Sequence, residues 1–269
     1  MPKSAVVRNP GGKNHGLPQE PFSALKNYDM ALNQLPRFVR KNYTHQEWRH
    51  ASSILLTDFP DLFKELCDVL QRFRLKKSEV VVGGGSKTKI AGWIDSELTK
   101  QGWKERQFKT AFQVDDRRID SPTHKVDCFK ANERGGIGFE IEWNNKDPFF
   151  DRDLNNFRLL FELRTVSVGI ILTRGEDLKT LFKDLTAKGL KPASSFGEST
   201  THWGKLVPRL EGGAGGGCPV LALGITRSLY VEDISDEEAR KLIEDAKQLK
   251  DSKRKTSVNT EESDMEDET

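Results

Sequence analysis

Three acidic side chains in the segment 126–150 have the types and spacing of a cation site. In the run Phe139–Trp143, apolar residues alternate with Glu140 and Glu142, so in a strand both glutamates would point to one face. Two carboxylates on an otherwise apolar strand are costly unless a cation or a hydrogen-bond donor compensates them. Asp127 precedes them and could come from the facing strand of a hairpin. Three oxygen ligands at one place suit a hard divalent cation such as Mg2+.

The same three acids also have an ordinary interpretation. Glu140 and Glu142 could form the solvent face of an amphipathic strand, and Asp127 could be an exposed acid at a sheet edge. Basic and amide side chains nearby favour a DNA-binding site. The basic groups could contact phosphates, and asparagine can hydrogen-bond adenine in the major groove. These neighbours are Lys125, Lys130, Arg134, Asn144, Asn145 and Lys146. Spacing alone leaves both interpretations open.

An α/β core is predicted to position these residues. Strands around Val126–Phe129 and Gly138–Trp143 would form a hairpin, and a helix would begin near Pro148, a residue favoured in the first turn. The apolar run Val166–Leu172 suits a strand buried on both faces. Strand, helix and strand in this order predict a right-handed βαβ unit. Pro219–Ile225 is predicted as a further core strand.

The flanking regions contain further predicted features. Apolar residues recur at three- and four-residue steps across Tyr43–Arg74, which predicts helix there. A second helix is predicted from Thr88 to Gln101. A polar turn is predicted at 115–124, and a loop at 192–217 because a glycine-rich run disfavours regular elements.

A glycine-rich run at residues 80–88 invites comparison with a phosphate-binding loop. The nucleotide-binding pattern needs Gly directly before its lysine, but Ser86 precedes Lys87. We therefore predict a flexible glycine hinge that leads into a helix, with Ser86 as the helix cap. Lys87 and Lys89 could contact DNA phosphates or simply be solvated.

The composition excludes several classes of protein and allows others. Hydrophobic residues make up 35% of the 269 residues, so a real core is possible. The net charge is +2, and acids are concentrated at the C-terminal end, which makes the preceding part more basic and allows nucleic-acid binding. The 3 widely spaced cysteines indicate neither a zinc site nor a disulfide framework. No long apolar run is present, so we expect a cytoplasmic protein without membrane segments.

The chain is predicted to have one folded domain with two appendages. Residues 1–24 are rich in Gly, Pro, Asn and Lys and are expected to form a mobile arm. Residues 25–235 are expected to form an α/β domain, in which helices flank a central mixed β-sheet and a helical extension precedes it. Residues 236–269 are expected to form a charged helix and a disordered tail.

The acids form the pattern D–x12–E–x–E, a variant of the degenerate PD-(D/E)xK nuclease signature in which Glu142 stands in place of the usual lysine. Lys146 lies too far along the chain to substitute for it by position. The runs GFEIEWNNKDPFFDRDLNNF, VGIILTRGEDL and GCPVLALGI occur in an order that resembles the BglII/BstYI family of type II restriction endonucleases. The resemblance covers roughly Lys87 to Ile225 and implies a restriction-endonuclease-like fold.

The resemblance implies a role for each matching residue. Asp127 and Glu140 would bind Mg2+, together with the carbonyl of Ile141. Glu142 falls where BglII-like enzymes have Gln and the related BamHI has Glu, and it would orient or deprotonate the attacking water. Glu105 lies near an additional acid or amide of the family, at the end of the preceding helix. The residues expected to contact DNA are Lys87, Lys89, Lys125, Asn144, Asn145 and Lys146.

The resemblance also implies a function. It predicts Mg2+-dependent hydrolysis of double-stranded DNA at a palindrome, with a GATC core and 5′ overhangs, by a homodimer. A DNA methyltransferase would act on the same site, without stable binding, in a bacterial or archaeal restriction-modification system. Two alternatives are a nuclease of this fold in repair or junction resolution and a non-catalytic DNA-binding protein. A glycosidase is disfavoured, because Glu140 and Glu142 project from one side of a strand.

Overall fold

The structure is a computed structural model that describes residues 32–83, 88–190 and 196–249. Its helices are α1 (Arg37–Asn42), α2 (Ala51–Asp58), α3 (Pro60–Arg72), α4 (Lys77–Val80), α5 (Lys89–Lys100), α6 (Phe149–Glu162), α7 (Leu178–Ala187), α8 (Trp203–Glu211) and α9 (236–249). Its strands are β1 (Tyr43–Trp48), β2 (Leu75–Lys76), β3 (Lys104–Arg106), β4 (Lys109–Val114), β5 (Arg117–Pro122), β6 (Val126–Asn132), β7 (Gly135–Glu142), β8 (Val168–Arg174), β9 (Val220–Ile225) and β10 (Tyr230–Val231). The predicted arm at 1–24, Ser86, Lys87 and the tail from residue 250 lie outside the described residues.

A six-stranded mixed sheet organises the fold, with the strand order β1-β9-β8-β7-β6-β3. Strands β7, β8 and β9 are parallel, which confirms the predicted strand–helix–strand unit around α6. Strand β6 is antiparallel to β7, as predicted for the hairpin, although its turn is shorter than expected and lies at residues 133–134. The fold prediction of a central mixed sheet flanked by helices is therefore confirmed.

Helices cover both faces of the sheet because the buried side chains of the central strands alternate between them. Phe139 and Ile141 join a cluster with residues of α3 and α5, whereas Val126 joins a second cluster with residues of α6 and α8. Strand β7 therefore presents its odd-numbered residues to α5 and its even-numbered residues, including both glutamates, towards α6. None of the described helices has the length and apolar character needed to cross a membrane.

Helix α6 packs closely on the sheet at two glycines. Gly138 and Gly169 are paired neighbours on β7 and β8, and the ring of Phe157 lies over both. A Cβ atom would come within 2.7 Å of this ring at Gly138 and within 2.4 Å at Gly169. The two missing side chains therefore let α6 pack directly on β8 and on β7, the strand that carries both glutamates.

The helix predicted across Tyr43–Arg74 is wrong at its N-terminal end. Tyr43–Trp48 forms β1, which pairs antiparallel with β9 along its whole length. Tyr, Thr and Trp favour strands, and the edge of β9 offers backbone partners that a local apolar pattern cannot reveal. Helix is present only over α2 and α3, so the N-terminal region supplies a sheet edge as well as helical cover.

Three smaller predictions are also wrong. The polar turn at 115–124 contains β5, whose backbone pairs with β4. The side chains of β5 are almost all exposed, so its sequence lacks the alternation of apolar and polar residues that indicates a strand. The loop at 192–217 contains α8, whose buried face holds only Leu206 and Leu210 and which is followed by the glycine-rich run 212–217. The cap of α5 is Thr88, whose hydroxyl oxygen accepts a hydrogen bond from the Ala91 amide at 3.1 Å.

Candidate active site

Strands β6 and β7 separate at Asp127, and side chains replace the backbone ladder there. Their register extends to the Cys128–Phe139 pair. Beyond it, the amide of Ile141 donates to Asp127 Oδ2 at 3.0 Å, and the amide of Asp127 donates to Glu140 Oε2 at 3.3 Å. Each acid therefore satisfies a buried backbone donor of the other strand, which fixes both carboxylates at the point of separation.

Burial and mutual repulsion make the acids difficult to ionise. Glu140 is fully buried, and its pKa is raised well above its ordinary value by burial and then by the charges of Asp153 and Asp127. Burial, followed by Asp153, raises the pKa of Glu142 to about 9. The pKa of half-buried Asp127 is also raised by burial, although the hydrogen bond from Ile141 opposes this shift. Such a cluster is suited to an added cation.

The acids that face one another could hold a divalent metal ion. Glu140 Oε1 is buried and has no hydrogen-bond partner in the described structure, while Asp127 lies beside it. No three His, Cys, Asp or Glu side chains among the described residues converge as a ready-made metal centre. A site made from Asp127, Glu140 and the carbonyl of Ile141 needs only two such side chains, so the donor set fits a hard cation.

Helix α6 adds two charged residues that sequence reasoning missed. Arg152 donates from Nε to Asp153 Oδ1 at 2.8 Å and from a terminal nitrogen to Glu142 Oε1 at 3.4 Å. Asp153 is fully buried. Asn145 donates to the other oxygen of Glu142 at 2.9 Å. A signal for Asp153 exists in the sequence, because it lies on the same helix face as Phe150, Leu154 and Phe157.

A cavity of about 560 Å3 opens beside Asp127 and Ile141. Helix α5 contributes Asp95 to its wall, and β3 contributes Lys104 and Glu105. Asp95 was not singled out from the sequence, and its Oδ1 accepts a hydrogen bond from the Cys128 thiol at 3.5 Å. The cavity thus reaches from the point of strand separation to the exposed edge strand.

The loop after β7 borders the same cavity. Asn144 and Asn145 line it. Asn144 is held from the far side, because its Oδ1 accepts a hydrogen bond from the Phe196 amide at 3.2 Å. Lys146 is exposed and forms an isolated β-bridge with Thr200. This loop is therefore fixed by a segment about fifty residues further along the chain.

The remaining predicted site residues lie at the surface. Glu105 is in β3 rather than at a helix end, and its side chain pairs with Lys125 at 2.9 Å, with both groups more than half exposed. Lys89 is exposed at the first residue of α5. Lys87 lies outside the described residues. The structure thus gathers Asp127, Glu140, Ile141, Glu142, Asn144 and Asn145 at one place, with Glu105 on the cavity rim.

Comparison with known proteins gives one family. The sequence model described as restriction endonuclease BglII/BglIII matches residues 43–225. This range begins at the first residue of β1 and ends at the last residue of β9, so it contains the whole central sheet and the acid cluster. No curated protein matches the chain.

Proposed function

The chain belongs to the restriction endonuclease BglII/BglIII family, and on this basis we propose that it is a type II enzyme that cleaves double-stranded DNA at a short palindrome. The observation that carries the proposal is a pair of hydrogen bonds between β6 and β7 where the strands separate: the Asp127 amide donates to Glu140, and the Ile141 amide donates to Asp127. This pair supports the proposal, because it holds two carboxylates close together inside the matched range, beside a cavity that reaches the surface.

We assign the metal site to Asp127, Glu140 and the carbonyl of Ile141, with Mg2+ as the ion. Restriction endonucleases normally use a divalent metal. A bound divalent cation supplies Lewis acidity to the scissile phosphate and lowers the pKa of water. The buried Oε1 of Glu140 has no hydrogen-bond partner among the described residues, which supports this assignment because a buried carboxylate oxygen without a donor is costly.

The neighbouring side chains have complementary roles in this proposal. Glu142 orients or deprotonates the attacking water, and Asn145 and Arg152 hold its two carboxylate oxygens. Asn144 and Asn145 face base edges from the cavity rim, and Lys146 meets the backbone. The further phosphate contacts are Lys87, Lys89 and Lys125, and Glu105 has an auxiliary catalytic role.

The proposed target also determines the assembly. A palindrome is matched by a twofold homodimer with one active site for each strand. We propose a GATC core, 5′ overhangs and a cognate methyltransferase in a bacterial or archaeal cytoplasm. Residues 25–235 would form the catalytic and DNA-binding domain, with 1–24 and 236–269 as appendages.

The test uses plasmid and unmethylated phage DNA with Mg2+. Discrete fragments are expected, and sequencing their ends names the site. Asp127→Asn and Glu140→Gln keep an oxygen that can accept the backbone hydrogen bond but remove the charge, so both should abolish cleavage while preserving the fold. Glu133→Gln, in the exposed turn of the same hairpin, is the matched control.

Several results would contradict the proposal. Cleavage directed by DNA shape without a defined sequence would instead indicate a repair or junction nuclease. Binding without cleavage in any divalent metal would indicate a non-catalytic DNA-binding protein. Random nicking that survives Asp127→Asn would show that the acids do not form the active site.

A further inference from the structure

The guanidinium of Arg152 is held rigidly at the edge of the acid cluster. It donates to Asp153 at 2.8 Å and to Glu142 at 3.4 Å, and its central carbon lies 4.2 Å from the centroid of the Phe149 ring. Two carboxylates and one ring face therefore contact the guanidinium. The orientation of the group is therefore set before any ligand arrives.

The same group remains accessible. The Arg152 side chain is 33% exposed, whereas those of Glu142 and Asp153 are at most 1% exposed. A guanidinium has five N–H donors, and the two hydrogen bonds to carboxylates leave the others available. Among the described residues, no acceptor is bound to its remaining terminal nitrogen. The side chains of a purely internal ion pair would be covered, but a third of the Arg152 side chain is accessible to solvent.

Arg152 lies on the side of the sheet to which Glu140 and Glu142 point, because it contacts Glu142 directly. It interacts electrostatically with Glu140 as well as with Glu142 and Asp153. It also interacts electrostatically with Asp127, the second residue of β6, and with His124, which precedes that strand. The guanidinium thus lies near the gap where β6 leaves β7, next to the acids assigned to the metal.

The acids around Arg152 concentrate negative charge at the place where DNA would bind. The four acids around the gap are Asp127, Glu140, Glu142 and Asp153. A DNA phosphodiester would add another negative charge to the same place, so its approach requires cations. Among the described residues, Arg152 makes the ion pairs of Glu142 and Asp153. Arginine also matches the geometry of phosphate oxygens through paired donors.

We propose that Arg152 is a catalytic residue that binds the scissile phosphodiester through its free terminal N–H groups, while Glu142 and Asp153 fix its orientation. This inference rests on the proposed function. A donor that is already oriented stabilises charge on the phosphate without reorganising during the reaction. The contact strengthens as negative charge shifts on the phosphate oxygens, so it acts on the rate of cleavage more than on DNA binding.

The test compares Arg152→Gln and Arg152→Lys with the unmodified enzyme in single-turnover cleavage at saturating DNA. Removing the charge should slow cleavage by about 100-fold or more, and lysine should restore part of the rate. DNA affinity, measured by fluorescence anisotropy in Ca2+, should change much less than the rate. Arg158→Gln is the matched control, because Arg158 is exposed on the same helix and, within the described part of the chain, donates only to Asn155. It should leave both quantities unchanged.

A second variant separates a phosphate contact from a structural role. Arg152→Gln/Asp153→Asn removes the buried charge that Arg152 neutralises, so it should recover thermal stability relative to Arg152→Gln while cleavage stays slow. Recovery of the full rate in this double variant would overturn the inference, as would a rate for Arg152→Gln within about threefold of the parent. If the parent enzyme cleaves no DNA, the proposed function and the inference both fail. If the parent cleaves and Arg152→Gln cleaves equally well, only the inference fails.

Discussion

The close packing of α6 on the sheet can be tested at Gly169. A Cβ atom at this position would lie 2.4, 2.7 and 2.8 Å from three atoms of the Phe157 ring, where ordinary contacts begin near 3.4 Å. At Gly138, only one ring atom comes as close as 2.7 Å, and the next lies at 3.4 Å. Alanine at Gly169 therefore requires a larger displacement of the ring than alanine at Gly138 does.

The expected cost follows from this difference. Overpacking a tight core costs about 1–3 kcal/mol, so Gly169→Ala should lie near the upper end and Gly138→Ala near the lower end. Urea unfolding measures both, and the midpoint should fall while the slope stays constant. Gly197→Ala is the matched control, because no described atom would lie within 4 Å of its Cβ. It should change stability by less than about 0.5 kcal/mol.

A double variant tests the assigned contact itself. Phe157→Leu leaves space next to Gly169, so Gly169→Ala should cost less in its presence than in the parent. A coupling of about 1 kcal/mol or more is expected for residues in direct contact. Strictly additive effects, or a larger loss for Gly138→Ala than for Gly169→Ala, would refute the packing argument. Since α6 also carries Arg152 and Asp153, Gly169→Ala should slow DNA cleavage in the folded protein too.

Three further predictions concern the metal, the post-β7 loop and pH. Ca2+ should raise the Tm of the metal-free protein through preferential binding to the folded state, and Glu140→Gln should remove this shift in a thermal scan. Phe196→Ala should destabilise the protein by about 3 kcal/mol in urea unfolding, because its ring stacks on Phe182 at 4.5 Å. The same change should also increase cleavage at sites with one mismatched base, since the amide of Phe196 positions Asn144. Burial lowers the pKa of His202 below its ordinary 6.5, so the unfolded chain binds a proton more readily and stability falls as pH drops below 6.5. His202→Gln should make Tm less dependent on pH between 6.5 and 5, and an unchanged slope would contradict this assignment.

The catalytic hairpin could be predicted because its pattern is local. Alternation in Phe139–Trp143 predicted that Glu140 and Glu142 share a face, and both lie on the α6 side of β7. The apolar run before Leu172 likewise predicted a buried parallel strand, which is β8. These features depend on residues within one element, so its periodicity is sufficient to identify them.

Other features depended on partners that are distant in the sequence. Tyr43–Trp48 is a strand because the edge of β9 is available to pair with it. Arg152 meets Glu142 only because the glycines beneath Phe157 bring α6 close to β7. Local periodicity contains no information about such approaches, so neither the strand β1 nor the contact of Arg152 with Glu142 can be predicted from it.

The pairing of β1 with β9 also determines the order in which the strands of the sheet can pair during protein synthesis. Hairpin β6–β7 joins neighbouring segments, whereas Tyr43 must wait for Ile225 before its strand is complete. Closing so long a loop has a large entropic cost, so contacts between distant segments form slowly and late in folding. The edge of β8 therefore stays open on the ribosome until β9 emerges. In a nascent chain, the acids would therefore lie in an incomplete sheet. We expect no nuclease activity until nearly all of the family-matched range has been synthesised.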